Sequence, residues 1–400
     1  MKKGWELKRL DEVCAVERGS SPRPIKEYQT QSDDGVNWIK IGDTKGVEKY
    51  IYSTKEKITK EGAKQSRFVK EGDFILTNSM SFGNPYIMKT EGYIHDGWFV
   101  LRLKNYIDTE YFWYLLVSPL VQEQFNTLAN GAIVKNISGD LVKKVVLPIP
   151  PLPEQQRIVS VLDEAFASIA QAKSNAERNL VNAQELFESS LDNIFQHHSK
   201  GLTQKPLVDF CEDSRVITYG VIKLGNETED GVPCLRTSNV RWLRIETDGM
   251  KRILPSLSEQ YSRTILKGGE VLVNVRGTLG GVAVVPLEMA GWNVSREVAV
   301  VPIDNKKVDP KFISYYIASG ISQKWFGGVK KGAAYVGINI EDLRLLPISI
   351  PPLAEQRAIV GRLEALSAET GRLEEIYQQK VESLEELKKS VLGKEFEGEL

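Results

Sequence analysis

The chain repeats itself, and the repeat fixes its architecture. The run Ile149-Pro150-Pro151-Leu152-Pro153-Glu154-Gln155 returns as Ile350-Pro351-Pro352-Leu353-Ala354-Glu355-Gln356, an offset of 201 residues. Asp108 to Ser118 matches Asp309 to Ser319 at the same offset, both an acidic start followed by an aromatic-rich segment. Gly72-Asp73-Phe74-Ile75-Leu76 matches Gly269-Glu270-Val271-Leu272-Val273 at 197, and Cys14 matches Cys211 at 197. A period this long means one folded module built twice, with the drift in offset absorbed by loop insertions. The two cysteines at equivalent positions read as core residues. Only three cysteines occur in the 400 residues, with no Cys-x-x-Cys spacing, so neither a disulfide scaffold nor a zinc site is expected.

Each copy ends in a proline-rich turn that opens a long helix. Pro148, Pro150 and Pro151 terminate the strand-like run Val145-Val146-Leu147, and Pro153 is tolerated only in a first helical turn. The first helix is predicted to start near Glu154. Apolar residues then recur at Ile158, Leu162, Ala165, Ile169, Ala172, Ala176, Leu180, Ala183, Phe187, Leu191 and Ile194, in steps of three and four that make a coiled-coil seam. The second seam runs through Ile359, Leu363, Leu366, Thr370, Leu373, Tyr377, Lys380, Leu384, Leu387 and Val391, with Thr370 and Lys380 as polar interruptions. Such helices are marginal alone, so the two are expected to pair antiparallel within the chain. They serve either as a spacer or as a spacer that also offers a docking surface.

Between the helices, short runs rich in β-branched and aromatic residues alternate with polar turns. Strands are predicted at Val69–Thr77, Trp98–Leu103, Glu270–Asn274 and Val298–Ile303, and helices at Tyr111–Val117 and Phe312–Ala318. The fold class is α+β, with two globular domains in an internal repeat, separated and followed by long helices forming an antiparallel coiled coil. The expected boundaries are 1–150 and 201–351 for the globular domains, and 151–200 and 352–400 for the helical spacers. No apolar run approaches the roughly 18 residues that span a bilayer, and Met1-Lys2-Lys3-Gly4-Trp5-Glu6 has no apolar signal core. A cytoplasmic protein away from membranes is expected.

A search for catalytic chemistry returns nothing that holds together. No G-x-x-x-x-G-K-[ST] loop occurs, and Gly277-Thr278-Leu279-Gly280-Gly281 lacks the order and the following helix of a phosphate site, so it reads as a turn. Ser79-Met80-Ser81-Phe82-Gly83-Asn84-Pro85-Tyr86 is superficially like the Asn-Pro-Pro-aromatic loop of adenine methyltransferases, but the second proline and a cofactor strand are missing. Three histidines, His95 alone and His197-His198 as a pair, supply metal or triad chemistry poorly and read as inert. No metal and no cofactor are expected, and the chain reads as a non-enzyme.

Binding remains. The net charge is −1, so a nucleic-acid partner would have to be held by local patches. Between Thr44 and Lys70 stand eight basic residues (Lys45, Lys49, Lys55, Lys57, Lys60, Lys64, Arg67, Lys70) against Glu48, Glu56 and Glu61. Arg236 to Lys267 repeats the excess, with Arg236, Arg241, Arg244, Lys251, Arg252, Arg263 and Lys267 against Glu246, Asp248 and Glu259. Phosphate contacts position a protein on DNA, whereas reading bases needs polar side chains on loops. The first copy offers Thr77, Asn78, Ser79, Ser81 and Asn84 after a strand, with Lys135 and Asn136 in a later loop. The second offers Asn274, Arg276 and Thr278 at the equivalent turn, with Lys330, Lys331 and Tyr335 in its later loop. Loops that differ on a frame that repeats predict two different half-sites of double-stranded DNA, held apart by the helices at about one helical turn, roughly 34–36 Å.

These features resemble the specificity subunit of type I restriction-modification systems over almost the whole chain. In that family two target-recognition domains alternate with two helical spacers, and each junction carries a Pro-Pro-Leu-x-Glu-Gln signature. Pro150-Pro151-Leu152-Pro153-Glu154-Gln155 and Pro351-Pro352-Leu353-Ala354-Glu355-Gln356 both match it. The resemblance implies a noncatalytic subunit that brings two methylation subunits, and then restriction subunits, to an asymmetric bipartite DNA site. It further implies that the helices dock those partners, with Glu154, Gln155, Leu162 and Ile169 on the first and Glu355, Gln356, Leu373 and Leu384 on the second. A DNA adenine methyltransferase in its own right, or a coiled-coil scaffold without DNA, are the alternatives.

Overall fold

The computed structural model describes residues 4–78, 82–130, 138–199, 201–329 and 337–397. It divides into two compact units. The first comprises Met1–Ala176 and Gln379–Leu400, the second Glu177–Gln378, so each contains one lobe and a part of both long helices. The helices run from Leu152 to His198 and from Leu353 to Glu397. The first begins two residues before the expected Glu154, because the proline at its second position occupies a turn where no amide bond is lost.

In the first unit, the lobe is built on two five-stranded sheets. One orders its strands as Cys14–Arg18, Trp98–Leu103, Phe74–Thr77, Pro85–Met88 and Tyr50–Ile51; the other as Gln29–Thr30, Glu56–Ile58, Val36–Ile39, Gly92–Ile94 and Arg67–Val69. The single strand expected over Val69–Thr77 is two strands in different sheets, because Gly72 takes φ +87° and turns the chain between them. Phe74, Leu76, Phe99 and Leu101 face a core shared with the helix Thr109–Val117 and with Ile158, Leu162, Leu392 and Phe396 of the long helices. Within this unit the two helical segments are antiparallel: Arg157 bonds Glu395 at 3.0 Å and Lys173 bonds Glu385 at 2.6 Å.

The second unit repeats the plan with fewer strands. Its main sheet orders Thr218–Tyr219, Val298–Val301, Val271–Asn274 and Val282–Val284; a second carries Lys251–Ile253, Val232–Leu235 and Asn293–Val294. The expected strands Trp98–Leu103 and Val298–Ile303 are the equivalent inner strands of the two copies. Phe187, Leu191 and Phe195 from one long helix and Ile359, Val360 and Leu363 from the other close the core under the helix Pro310–Ala318. Cys14, Cys211 and Cys234 are buried, and burial pushes each thiol up to about 12, as core residues require.

The junction signature is an internal lock. Gln155 is fully buried; its Oε1 accepts the Asp108 amide at 2.7 Å, and its Nε2 donates to the Tyr106 and Pro150 carbonyls. Gln356 does the same in the second unit, accepting from the Asp309 amide at 3.0 Å and donating to the Pro351 carbonyl. Asp108 and Asp309 in turn cap the helices that follow them, through their carboxylates. Each glutamine therefore ties the start of a long helix to its own lobe, and neither it nor the wholly buried Leu162 is available to a docking partner. This corrects the docking role expected for Gln155, Gln356 and Leu162. Glu154 pairs with Arg157 and Glu355 with His198, while Ile169, Leu373 and Leu384 are half-buried.

Candidate nucleic-acid interface

Among the described residues, strand direction gathers the loops that differ between the two copies at one end of each lobe. In the first, Cys14–Arg18 and Phe74–Thr77 finish where their antiparallel partner Trp98–Leu103 starts, and the parallel pair Val36–Ile39 and Gly92–Ile94 finishes at the same end. Backbone bonds from Gly19 to Trp98, Ser20 to Ile94 and Asn78 to Gly97 knit the three segments together. Gly19 approaches so closely that a Cβ there would sit 2.0 Å from the His95 carbonyl oxygen. The second lobe has a similar knot: Val221 donates to Val294 and Val275 to Glu297, as Ser20 and Asn78 do to Ile94 and Gly97, while Gly220 donates to Ser295 and a Cβ on it would lie 1.9 Å from the Val294 oxygen. These bonds align Ser20 with Val221, His95 with Ser295, Asp96 with Arg296 and Gly97 with Glu297.

The residues expected to read bases divide sharply at this end. Asn274 is buried, and its Nδ2 donates to the carbonyls of Thr237, Val240 and Thr278, so it staples the turn from inside. Asn78 is buried with its Nδ2 on the Asp96 carbonyl, and the buried Thr77 hydroxyl accepts the Asn84 amide. The base-reading role expected for Asn274, Asn78 and Thr77 is thus corrected: all three are buried, and the turn takes up the Asn274 and Asn78 amide nitrogens and the Thr77 hydroxyl. Asn84 is half-buried, whereas Arg276 and Thr278 are exposed. The Arg276 guanidinium lies 5.6 Å from the centre of the Tyr219 ring, which orients it without neutralising it. Ser79, Ser81, Lys135, Asn136, Lys330, Lys331 and Tyr335 lie outside the described residues.

Several basic residues of the two stretches are spoken for. Lys49 bonds Glu110 and lies over the rings of Tyr50, Trp113 and Tyr114; Arg67 pairs with Glu17 and Lys64 with Glu61. In the second lobe Glu246 holds both Arg241 and Arg244, and these two arginines draw its carboxyl below the usual range.

The first lobe also carries a cleft that sequence inspection missed. It measures about 760 Å³ and is lined by the 21–26 segment with Gln29, Trp38, Lys40, His95 and Asp96. Asp96 organises it, accepting from the Ser21 hydroxyl at 2.7 Å and pairing with Arg23 at 3.2 Å; the Ser21 bond leads the forces that lower its carboxyl. Burial lowers the His95 imidazole below its ordinary value, outweighing the nearby Asp96. The Gly97 amide donates to His95 Nδ1 at 2.8 Å, so the neutral ring carries its proton on Nε2. Read as inert in the sequence, His95 is a fixed hydrogen-bond donor beside a cleft. The cleft lining comes from three separate segments, 21–29, 38–40 and 95–96, which no local motif could reveal.

Among the described residues, no group of acidic, cysteine or histidine side chains is placed to hold a metal, and no helix is long and apolar enough to cross a membrane.

Comparison with known proteins bears on what this end of each lobe does. The model of the type I restriction modification DNA specificity domain matches the chain twice, over residues 2–178 and 197–383. The EcoBI specificity subunit of Escherichia coli is 25% identical over 69% of the chain and 62% of its own length. The EcoKI specificity subunit of Escherichia coli K12 is 22% identical over 99% of the chain and 89% of its own length. Among solved structures, a chain from a study of complex assembly and conformational transition of the type I R-M system superposes with a TM-score of 0.76, at 21% identity, covering 100% of this chain and 99% of that one. The HsdS subunit from Thermoanaerobacter tengcongensis superposes with a TM-score of 0.64, also at 21% identity, covering 100% and 98%. At that identity the likeness is one of fold.

Proposed function

The chain belongs to the type I restriction-modification DNA specificity family, and from that premise we propose that it is a noncatalytic subunit reading an asymmetric bipartite DNA site, one half-site per lobe. The observation that carries this reading is the pairing of one frame with two chemistries. The knot around Gly19 recurs around Gly220, yet the positions of Trp38, His95 and Asp96 in the first lobe are held by Cys234, Ser295 and Arg296 in the second. Identical half-sites would need identical loop ends. Arg276 and Thr278 are the exposed side chains we assign to the second half-site, Arg276 suited to a bidentate contact with guanine. Asn84 and the 79–81 and 131–137 segments serve the first, and 330–336 the second.

Methylation and restriction subunits would supply the chemistry, with two methylation subunits docking on the helices. With Gln155, Gln356 and Leu162 engaged internally, docking falls to exposed apolar side chains: Val161 and Leu387 in the first unit, Val181, Leu186 and Ile376 in the second. The site of action is the cytoplasm, where the DNA is.

The test is to map methyladenine by modification-sensitive long-read sequencing in cells that express this chain with its methylation subunit, against cells lacking this chain alone. A single bipartite motif that vanishes with the chain is the expected result. An intact, soluble complex that methylates no motif would overturn the reading in favour of a scaffold. Methylation by the isolated chain would overturn its noncatalytic role.

A further inference from the structure

We propose that the cleft of the first lobe takes up one whole nucleotide, its base against the apolar side and its phosphate at the rim, a site that the described residues of the second lobe do not repeat. The proposal rests on the reading of the lobes as DNA-binding modules, and goes beyond it in saying how one of them engages its ligand. A base pair left in the stack presents only its edge, which suits a protruding loop and not a recess. A cleft of about 760 Å³ has room for a base, its sugar and a phosphate together.

The chemistry of the walls fits the parts of a nucleotide. Half-buried Ile25 gives apolar surface to a base plane, and the buried Trp38 closes the floor behind it. His95 offers a single directed donor from Nε2, because the Gly97 amide occupies Nδ1. That is a hydrogen bond a ring nitrogen or carbonyl oxygen of a base can accept. Gln29, exposed beside it, adds an amide, which donates to Glu56. At the rim, Lys26 is exposed and makes no ion pair among the described residues, and the exposed Arg23 is held in place by Asp96. Lys26 at the mouth of the recess suits an anionic group that stays in water while the ring attached to it does not, and Arg23, already paired with Asp96, adds only its remaining guanidinium donors. In the second lobe the equivalent positions are Cys234, Ser295 and Arg296, with neither an aromatic wall nor an imidazole donor.

The nucleotide could be one swung out of the duplex within the first half-site, or a free mononucleotide; the recognition chemistry is the same and the experiment separates them. In one arm, the assembled complex is mixed with duplexes carrying its methylation motif, with 2-aminopurine or pyrrolo-cytosine placed at each position in turn. A severalfold fluorescence rise is expected at one position of one half-site, and at none of the other. Ile25→Trp, which fills the recess, should abolish it, while unchanged hydrogen-exchange protection of the first unit shows that the variant lobe is folded. In the other arm, each deoxynucleoside monophosphate is titrated into the full chain by calorimetry, and Lys26→Glu, a rim change that leaves the core untouched, is compared with the unchanged protein.

Saturable binding in the second arm, weakened about tenfold by Lys26→Glu and lost in Ile25→Trp, supports the site even where every duplex base stays stacked, and assigns it to free nucleotides. No signal in either arm, or a signal that survives both substitutions, overturns the proposal. Absence of any bipartite motif would fail the functional reading instead, and the titration would still decide the cleft.

Discussion

The two lobes differ least where the backbone is crowded and most where side chains meet solvent. Gly19 and Gly220 both pass within touching distance of a carbonyl oxygen, and Gln155 and Gln356 both bury an amide against the lobe. A buried carboxylate recurs too: Asp73 accepts the Lys70 amide and holds Arg102, as Glu270 accepts the Lys267 and Gly268 amides and holds Arg215. A few residues away, Trp38 has become Cys234 and His95 has become Ser295. The repeated positions are those at which another residue would clash or strand a buried polar group. The divergent ones lie where a change alters only what the lobe can bind, which is how one module can be duplicated and then set to two tasks.

The largest effect that could break this comparison is steric. Gly19→Ala and Gly220→Ala each force a methyl group to about 2 Å from a backbone oxygen that belongs to another segment of the same knot. Each should destabilise its own unit by about 3 kcal/mol or more. Hydrogen exchange resolved by unit would show the loss confined to residues 1–176 and 379–400 in one variant and to 177–378 in the other. Gly42→Ala, where an added Cβ meets nothing, is the control and should change little. A tolerated alanine at either knot would mean that the two lobes do not share a frame there.

The buried glutamines give a smaller and deliberately unequal effect. Gln155→Met and Gln356→Met keep the volume and remove the amide. The first strands the Asp108 amide and two carbonyls, the second the Asp309 amide and one. Losses of about 2 to 3 and about 2 kcal/mol are expected, read as urea midpoints of each unit. Equal losses would mean that the third bond of Gln155 contributes nothing.

Much of the fold was legible because it is written twice. The Pro-Pro-Leu-x-Glu-Gln runs marked both helix starts, and the three-and-four spacing from Ile158 to Ile194 marked the seam, of which Ile158, Leu162, Ala176, Ala183, Phe187 and Leu191 are buried. What failed to show was which polar residue faces inward. Asn274 and Arg276 are two positions apart on one turn, yet one is sealed by three carbonyls and the other stands in solvent. Alternation along a strand does not say which face of the following turn is covered. The cleft was invisible for a different reason. Trp38, His95 and Arg23 meet only because a parallel pair of strands from distant segments ends beside the 19–24 loop.

The smallest difference between the lobes is one of protons. His95 stands where the second lobe has Ser295, so only the first lobe has a titrating group in this knot that changes charge near neutrality. Burial lowers its pKa below the 6.5 of the unfolded chain. Below that value the unfolded state takes up the proton before the native state does, so acidification favours unfolding. The stability contribution of the neutral ring is fully present above 6.5 and is lost as pH falls toward the folded-state value. His95→Gln cannot take up that proton and still offers an acceptor to the Gly97 amide. The unfolding midpoint of the first unit should therefore fall less between pH 7.5 and 5.5 in His95→Gln than in the unchanged protein, while Ser295→Ala leaves the slope of the second unit as it was. Parallel slopes in the first unit would mean that the fold does not hold His95 neutral. The directed Nε2 donor, and with it the polar contact assigned to the cleft, would then have to be given up.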